Sequence, residues 1–369
     1  MKYMLNYNEL QKGDIILESG HKVHSWAIKK KTKSNFSHAM ICIDELSVVH
    51  AEKKGIFTLN PQRLIVDNIT DLKVLRLKNN LSESDMKKIE SFLRNKIGSV
   101  YSIRDTLLVI EKDKNKQIKN ERQFCSRLVA QAYEHINCRI VDNIDFCSPA
   151  DIEQSAYFYE VKDMLRKAEE KDIAFSLTKN GIKENQISTY RWLNKTRDLA
   201  NMKYGFSINN INDVDTFIRQ HPNEDKTICE YINKSGYLEN FMVEVENNPH
   251  MFNEDQFIQK FEDIDNIAYS LVQEYNILLS PTMRYHQNYI NSTGNYLETN
   301  LEYYKLHIDL YFRLLGVSMS KLITLYNVSR IMMLKHSQNV TFGEVMLSTH
   351  MRIQLLQELE IKKFDSLSR

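Results

Sequence analysis

Cys125 is the residue whose type and position best suit covalent chemistry in this sequence. A polar run over residues 112–122, typical of a loop, precedes it, and the apolar residues after it recur with helical spacing: Leu128, Val129, Ala132, Tyr133 and Ile136. Cys125 is therefore predicted in the first turn of a helix, on the inward face. The N-terminus of a helix carries about half a positive charge, which favours a thiolate. A small buried core residue is the competing interpretation.

The thiolate interpretation predicts how Cys125 should react. Its thiol pKa should lie below the ordinary value of about 8.5, and iodoacetamide should alkylate it faster than Cys42, Cys138, Cys147 and Cys229.

Two histidines lie in neighbouring strand-like runs. His38 begins the run 38–43 and His50 lies in the run 48–51, and the short polar connection between them predicts a hairpin. A loop of three or five residues places both histidines on one face, whereas a loop of four residues separates them. On one face they would form a structural pair, half of a metal site, or a base with its orienting partner.

The composition excludes several classes of protein. Of 369 residues, 42% are hydrophobic and 26% are charged, which fits a globular protein of two domains. Lys and Arg number 49 against 48 Asp and Glu, so no overall field attracts nucleic acid. No secretory leader and no transmembrane run is recognised. Five cysteines without a CxxC pair favour reduced thiols in the cytoplasm.

The remaining elements change character along the chain. Ser82 and Ser148 are predicted to cap helices, the second with Pro149 in its first turn. Beyond residue 160 the strand-like alternation gives way to helical patterns. Apolar residues spaced by three and four from Leu297 to Leu325 predict one helix of roughly 40 residues.

Six short motifs occur in an order found in a known family: Gly13-Asp14-Ile15-Ile16-Leu17, Ser37-His38-Ala39-Met40-Ile41-Cys42-Ile43, Val49-His50-Ala51, Gly98-Ser99-Val100-Tyr101-Ser102, Phe124-Cys125-Ser126-Arg127-Leu128-Val129 and Ser148-Pro149-Ala150-Asp151-Ile152. This order resembles the permuted papain-like cysteine hydrolases of the NlpC superfamily, in the YiiX/YebB/YaeF branch. It also resembles the related lecithin:retinol acyltransferase group. The resemblance covers about residues 10–160.

The resemblance implies an α+β fold, in which a small antiparallel sheet packs on the nucleophile helix. With the end of the strand-like patterns, it predicts a permuted papain-like domain in residues 1–160. The helical patterns beyond predict an all-α helical domain of unassigned role in residues 161–369. The helical domain is a candidate for binding a protein partner or for oligomerisation.

The resemblance also implies roles for three residues. Cys125 matches the nucleophile, His38 the base, and His50 the third polar position, where the YiiX branch more often has a carboxylate. Arg127 stands where glutamate is common. The backbone N–H of Cys125 suits an oxyanion hole, with Tyr101 or Gln123 as a second donor. No cofactor and no metal is implied.

Four functions stay open at this point. The first is a hydrolase of amides, acting on a peptide, an isopeptide or an acylated amine. The second is an acyltransferase or lipid hydrolase, which His50 and a basic run over residues 29–33 favour, with peripheral membrane contact. The third is a catalytically silent scaffold. The fourth is a zinc site from His21, His24, His38, Cys42 and Cys125, which lack the usual ligand spacing.

Overall fold

The computed structural model describes residues 1–20, 35–44, 46–52, 55–99, 124–336 and 340–367, with side chains as far as residue 358. The chain divides into two compact units, residues 1–220 and 221–369. Strands lie in the first unit and the second is helical among its described residues, so the predicted α+β class is confirmed.

The described strands form two antiparallel sheets. They are β1 (Tyr3–Leu5), β2 (Ile15–Glu18), β3 (His38–Asp44), β4 (Ser47–Glu52), β5 (Gly55–Leu59), β6 (Ile65–Val66), β7 (Leu72–Leu77), β8 (Phe158–Glu160) and β9 (Leu165–Lys167). The larger sheet has the order β5-β4-β3-β2-β7-β8, and the smaller has the order β6-β1-β9. The predicted hairpin is therefore β3–β4, near one side of the larger sheet.

The helices of the first unit follow the strands. They are α1 (Glu83–Lys96), α2 (Cys125–Glu134), α3 (Pro149–Glu153), α4 (Glu170–Leu177), α5 (Gly181–Tyr204) and α6 (Ile211–Gln220). The predicted caps are confirmed, because the Ser82 hydroxyl accepts from the N–H of Asp85 and Ser148 forms a capping box with Asp151.

Helix α2 packs on one face of the larger sheet. Ala39 and Ile41 of β3 share a core with Leu128 and Val129 of α2. Because side chains alternate along a strand, Met40 belongs to a separate core cluster. The apolar stripe of α2 thus fixes the helix over β3, with Cys125 at its beginning.

The second unit is built from helices of unequal length. They are α7 (Asp225–Asn233), α8 (Phe241–Asn247), α9 (Glu254–Phe261), α10 (Ile264–Thr299), α11 (Glu302–Lys335) and α12 (Val340–Leu367). The prediction of one helix spanning 297–325 is wrong, since α10 ends and α11 begins inside that range. Asn300 has a φ of 54°, a left-handed conformation that asparagine tolerates better than most residues, and this ends α10.

The first compact unit continues past residue 160. Strand β9 pairs with β1, and the Gln186 side chain on α5 donates to the carbonyl of Thr58 at 2.6 Å. A three-residue strand such as β9 is too short to show alternation, which is why the sequence pattern missed it. Among the described helices, none is both long enough and apolar enough to cross a membrane.

These contacts lead to a prediction about two fragments. We expect residues 1–220 to unfold in urea in one transition, and residues 1–160 to be less stable by about 2 kcal/mol or more, because truncation exposes apolar surface beneath β9 and α5. Circular dichroism against urea concentration measures both. Equal stability would mean that the folding unit ends near residue 160, as the sequence predicted.

Candidate active site

The register of the hairpin places both histidines on one face. Met40 lies opposite His50 and Ile41 opposite Val49, and a bulge follows between Cys42 and Asp44. His38 is therefore the diagonal neighbour of His50 rather than its direct partner, which is still within reach of long side chains. Of the arrangements left open by the sequence, the structure has the one with both rings on the same side.

The two rings are joined by a hydrogen bond. Nε2 of His38 lies 3.0 Å from Nδ1 of His50, and the rings meet edge to face with centroids 5.3 Å apart. A neutral imidazole has one N–H donor and one acceptor nitrogen. If Nε2–H of His38 donates to Nδ1 of His50, then Nδ1 of His38 carries a lone pair. That tautomer is the one a general base requires.

Both histidines are held neutral at ordinary pH. Burial, with a smaller contribution from the neighbouring His50, lowers the pKa of His38 from 6.5 to about 3. Burial also lowers the pKa of His50, which is only 8% exposed. A lost hydration shell penalises the charged form, so the low values follow from the position of the pair inside the protein.

Glu52 opposes this effect from the end of β4. Its Oε1 lies 3.8 Å from Nδ1 of His50, and its charge raises the pKa of that histidine. The carboxylate is 59% exposed, and water screens exposed charges, so burial outweighs it. Glu52 was not among the residues predicted from the sequence. Its place two residues after His50, on the same face of β4, was the available signal.

Cys125 is the first residue of α2 and is 8% exposed, as the periodicity predicted. The backbone N–H groups of Ala39 and Ser126 donate to its sulfur, and the Ser126 side chain also contacts it. The sulfur thus lies against the β3 residue that directly follows His38. Proton transfer between Cys125 and His38 remains a proposal, to which this placement gives support.

The thiol does not have the lowered pKa that the sequence predicted. Burial raises the pKa of Cys125 above 9.0, and the hydrogen bonds from Ala39 and Ser126 only partly offset that effect. The prediction is wrong for the thiol as it lies here, because it counted the helix N-terminus and not the loss of water around the sulfur. Burial therefore favours the uncharged forms of the thiol and of both imidazoles.

The loop before α3 anchors the start of α2. The Ser126 hydroxyl donates to the carbonyl of Cys147 at 2.8 Å, and Nε of Arg127 donates to Asp145 at 3.0 Å. Arg127, which departs from the family pattern, therefore helps to hold α2 on this loop.

Other predicted residues lie outside the described part of the chain. These are Tyr101, Gln123, His21, His24 and the basic run 29–33. Cys42 lies on β3, where its thiol donates to the carbonyl of Asp44 at 3.3 Å, and burial raises its pKa to about 12. Within the described residues, no group of three or more His, Cys, Asp or Glu side chains is arranged to hold a metal ion.

Comparison with known proteins addresses the segment that contains these residues. Residues 9–161 match the permuted papain-like amidases. The matching model is that of the YaeF/YiiX, C92 family, so the resemblance predicted from the motifs is confirmed for this segment. A crystal structure of the metalloprotein yiiX from Escherichia coli O157:H7 is similar at 17% identity, covering 41% of this chain and 96% of that one, with a TM-score of 0.29. No curated protein matches the chain.

The raised thiol pKa gives a testable pH dependence. In the full chain, we expect the rate of Cys125 alkylation by iodoacetamide to rise with pH through about 9 and beyond, because the thiolate is scarce below that range. Mass mapping of the modified peptide gives the rate, and the protein unfolded in urea provides the reference thiol. A plateau between pH 6 and 8 would instead reveal a stable thiolate–imidazolium pair.

Proposed function

We propose that the first unit is a cysteine amidase that cleaves an amide bond of a peptide, an isopeptide or an acylated amine. The match to permuted papain-like amidases supports amide hydrolysis in general. The observation that carries the mechanism is the 3.0 Å contact between Nε2 of His38 and Nδ1 of His50, next to the strand residue that touches the Cys125 sulfur.

The first half of the reaction forms a thioester. The Cys125 sulfur attacks the amide carbonyl carbon while its proton passes to Nδ1 of His38, and the backbone N–H of Cys125 donates to the developing oxyanion. His38 then returns this proton to the leaving nitrogen as the C–N bond breaks. The amine departs and the acyl group remains on sulfur.

The second half releases the acyl group. Water attacks the thioester carbonyl and gives one proton to His38, which then protonates the departing sulfur. The carboxylic acid leaves and the neutral thiol is restored.

The role of His50 follows from the neutral resting state of Cys125 and His38. Because Cys125 and His38 both start uncharged, charge separates only as the C–S bond forms. His50 then accepts a hydrogen bond from the new imidazolium of His38, which is the third-member role in a catalytic triad. Glu52 adds a negative charge on the same side of the pair, 3.8 Å from His50. The low pKa of His38 makes it a weak base, so this support matters for rate.

An acyltransferase is the second candidate, since a histidine at position 50 resembles that group more than the carboxylate common in the YiiX branch. It would use the same residues, with an amine or alcohol in place of water.

We also propose a cytoplasmic location, because all five cysteines are unpaired in the structure. The helical second unit is proposed as a partner-binding or oligomerising module, for which the exposed Leu347, Met351 and Leu355 are candidates.

Intact-mass measurement tests the function directly. After mixing with a panel of acylated amines, short peptides and acyl esters, we expect a thioester mass on Cys125 that Cys125→Ala abolishes and Cys138→Ala retains. The added mass identifies the acyl group. Hydrolysis of the adduct in buffer supports the amidase, whereas decay only with an added amine or alcohol supports the acyltransferase. No adduct and no turnover with any donor would favour the scaffold.

Turnover of the two histidine variants separates their roles. His38→Ala should lower kcat by about 10²–10⁴-fold, the usual value of general acid–base help, and nearly as far as Cys125→Ala does. His50→Ala should cost less, and His50→Gln should recover part of the loss because glutamine can also accept a hydrogen bond. Equal losses for His38→Ala and a remote His135→Ala control would contradict the assignment.

A further inference from the structure

Helix α5 contacts the sheet next to the histidine pair, although it lies after the segment that matches the amidase family. The ring of Tyr190 packs on Phe57 of β5, with centroids 5.1 Å apart. Its hydroxyl donates to the carbonyl of Ser99 at 3.2 Å. Tyr190 is therefore held at both its ring and its hydroxyl.

Phe57 extends this contact to the histidines. In the β4–β5 register Phe57 lies directly opposite His50, and their ring centroids are 6.5 Å apart. His50 in turn contacts His38. A continuous row of four rings thus runs from Tyr190 through Phe57 and His50 to His38.

The backbone around Tyr190 is shaped for this close approach. Gly55 has a φ of +136°, and a Cβ atom there would overlap the Tyr190 hydroxyl and come within 2.7 Å of the Ser99 carbonyl. Only glycine accepts both the conformation and the contact. Arg197 lies over the Tyr190 ring at 5.7 Å and donates to the carbonyl of Gly98 at 2.7 Å, which ties α5 to the same stretch of chain.

We propose that Tyr190 is a positioning residue that holds Phe57 against His50 and so fixes the orientation of the His50 ring. The outer torsion of histidine is broad, and a half-turn exchanges Nδ1 with a carbon atom. Such a turn would remove the hydrogen bond to His38. Packing by Phe57, backed by Tyr190, disfavours it. The effect on turnover rests on the proposed amidase function, whereas the effect on the rings does not.

The inference predicts a change in kcat and in pH dependence. Tyr190→Leu should lower kcat by about 3- to 10-fold, the factor that corresponds to one aromatic contact, with little change in KM. The smaller leucine side chain should also let water reach the buried pair and weaken the burial that lowers the pKa of His38, so the acidic limb of the kcat/KM profile should move to higher pH. Tyr190→Phe keeps the ring and should keep the wild-type profile.

Tyr204→Leu is the matched control on the same helix. Tyr204 packs on Phe217 with centroids 5.6 Å apart, and neither residue belongs to the row that reaches His50. This variant should lower stability without moving the pH profile. A shift equal to that of Tyr190→Leu would mean that α5 acts only through general stability, and would overturn the proposal.

Histidine ring NMR in a Cys125→Ser background separates this proposal from the proposed function, since it needs no substrate. We expect Tyr190→Leu to raise the titration midpoints of His38 and His50, and Tyr190→Phe to leave them in place. If Tyr190→Leu fails to fold, Phe57→Leu interrupts the same row and should give the same shift. Unchanged midpoints in the folded variant would overturn the positioning role, even if amides are cleaved.

Discussion

One shared proton between two buried imidazole rings imposes the main constraint on the first unit. Burial disfavours a charge on either His38 or His50, so both rings stay neutral. The hydrogen bond between them then contains one N–H, which belongs to one of the two rings. When Nε2–H of His38 is the donor across the 3.0 Å contact, Nδ1 of His38 is the nitrogen left to accept a proton. The pairing of β3 with β4 keeps that contact in register.

The strand pairings of the sheet position the two histidines, and the packing of α2 positions Cys125. Pairing of β3 with β4 sets both histidines on one face, and pairing of β4 with β5 places Phe57 against His50. The apolar stripe of α2 packs on the alternate residues of β3, which carries Cys125 to the backbone of Ala39. The cost of this burial is a thiol with a raised pKa. A site that starts neutral avoids a permanent ion pair in poorly hydrated surroundings, where such pairs are expensive.

Local signals predicted the parts that depend on a few neighbouring residues. The stripe after Cys125 gave the helix and its buried face, and Ser82 and Ser148 marked helix starts by the chemistry of their hydroxyls. The hairpin was also predictable, but its register was not, because the bulge between Cys42 and Asp44 leaves no clear pattern in the sequence. The predicted pKa of the Cys125 thiol was wrong for a different reason, because the burial of the sulfur depends on the whole fold.

Two further features could not be predicted from the sequence. The break at Asn300 rests on one residue with positive φ inside an unbroken helical pattern. The contact of Tyr190 with Phe57 joins residues far apart in the chain, and the sequence around either residue does not predict it.

The tautomer of His38 tests the central claim most directly. Nitrogen-15 NMR of the histidine rings in the full chain at pH 7 distinguishes protonated from bare ring nitrogens. The account predicts a neutral His38 with its proton on Nε2, a bare Nδ1, and coupling across the hydrogen bond to Nδ1 of His50. A proton on Nδ1 of His38, or an imidazolium at either residue, would contradict it.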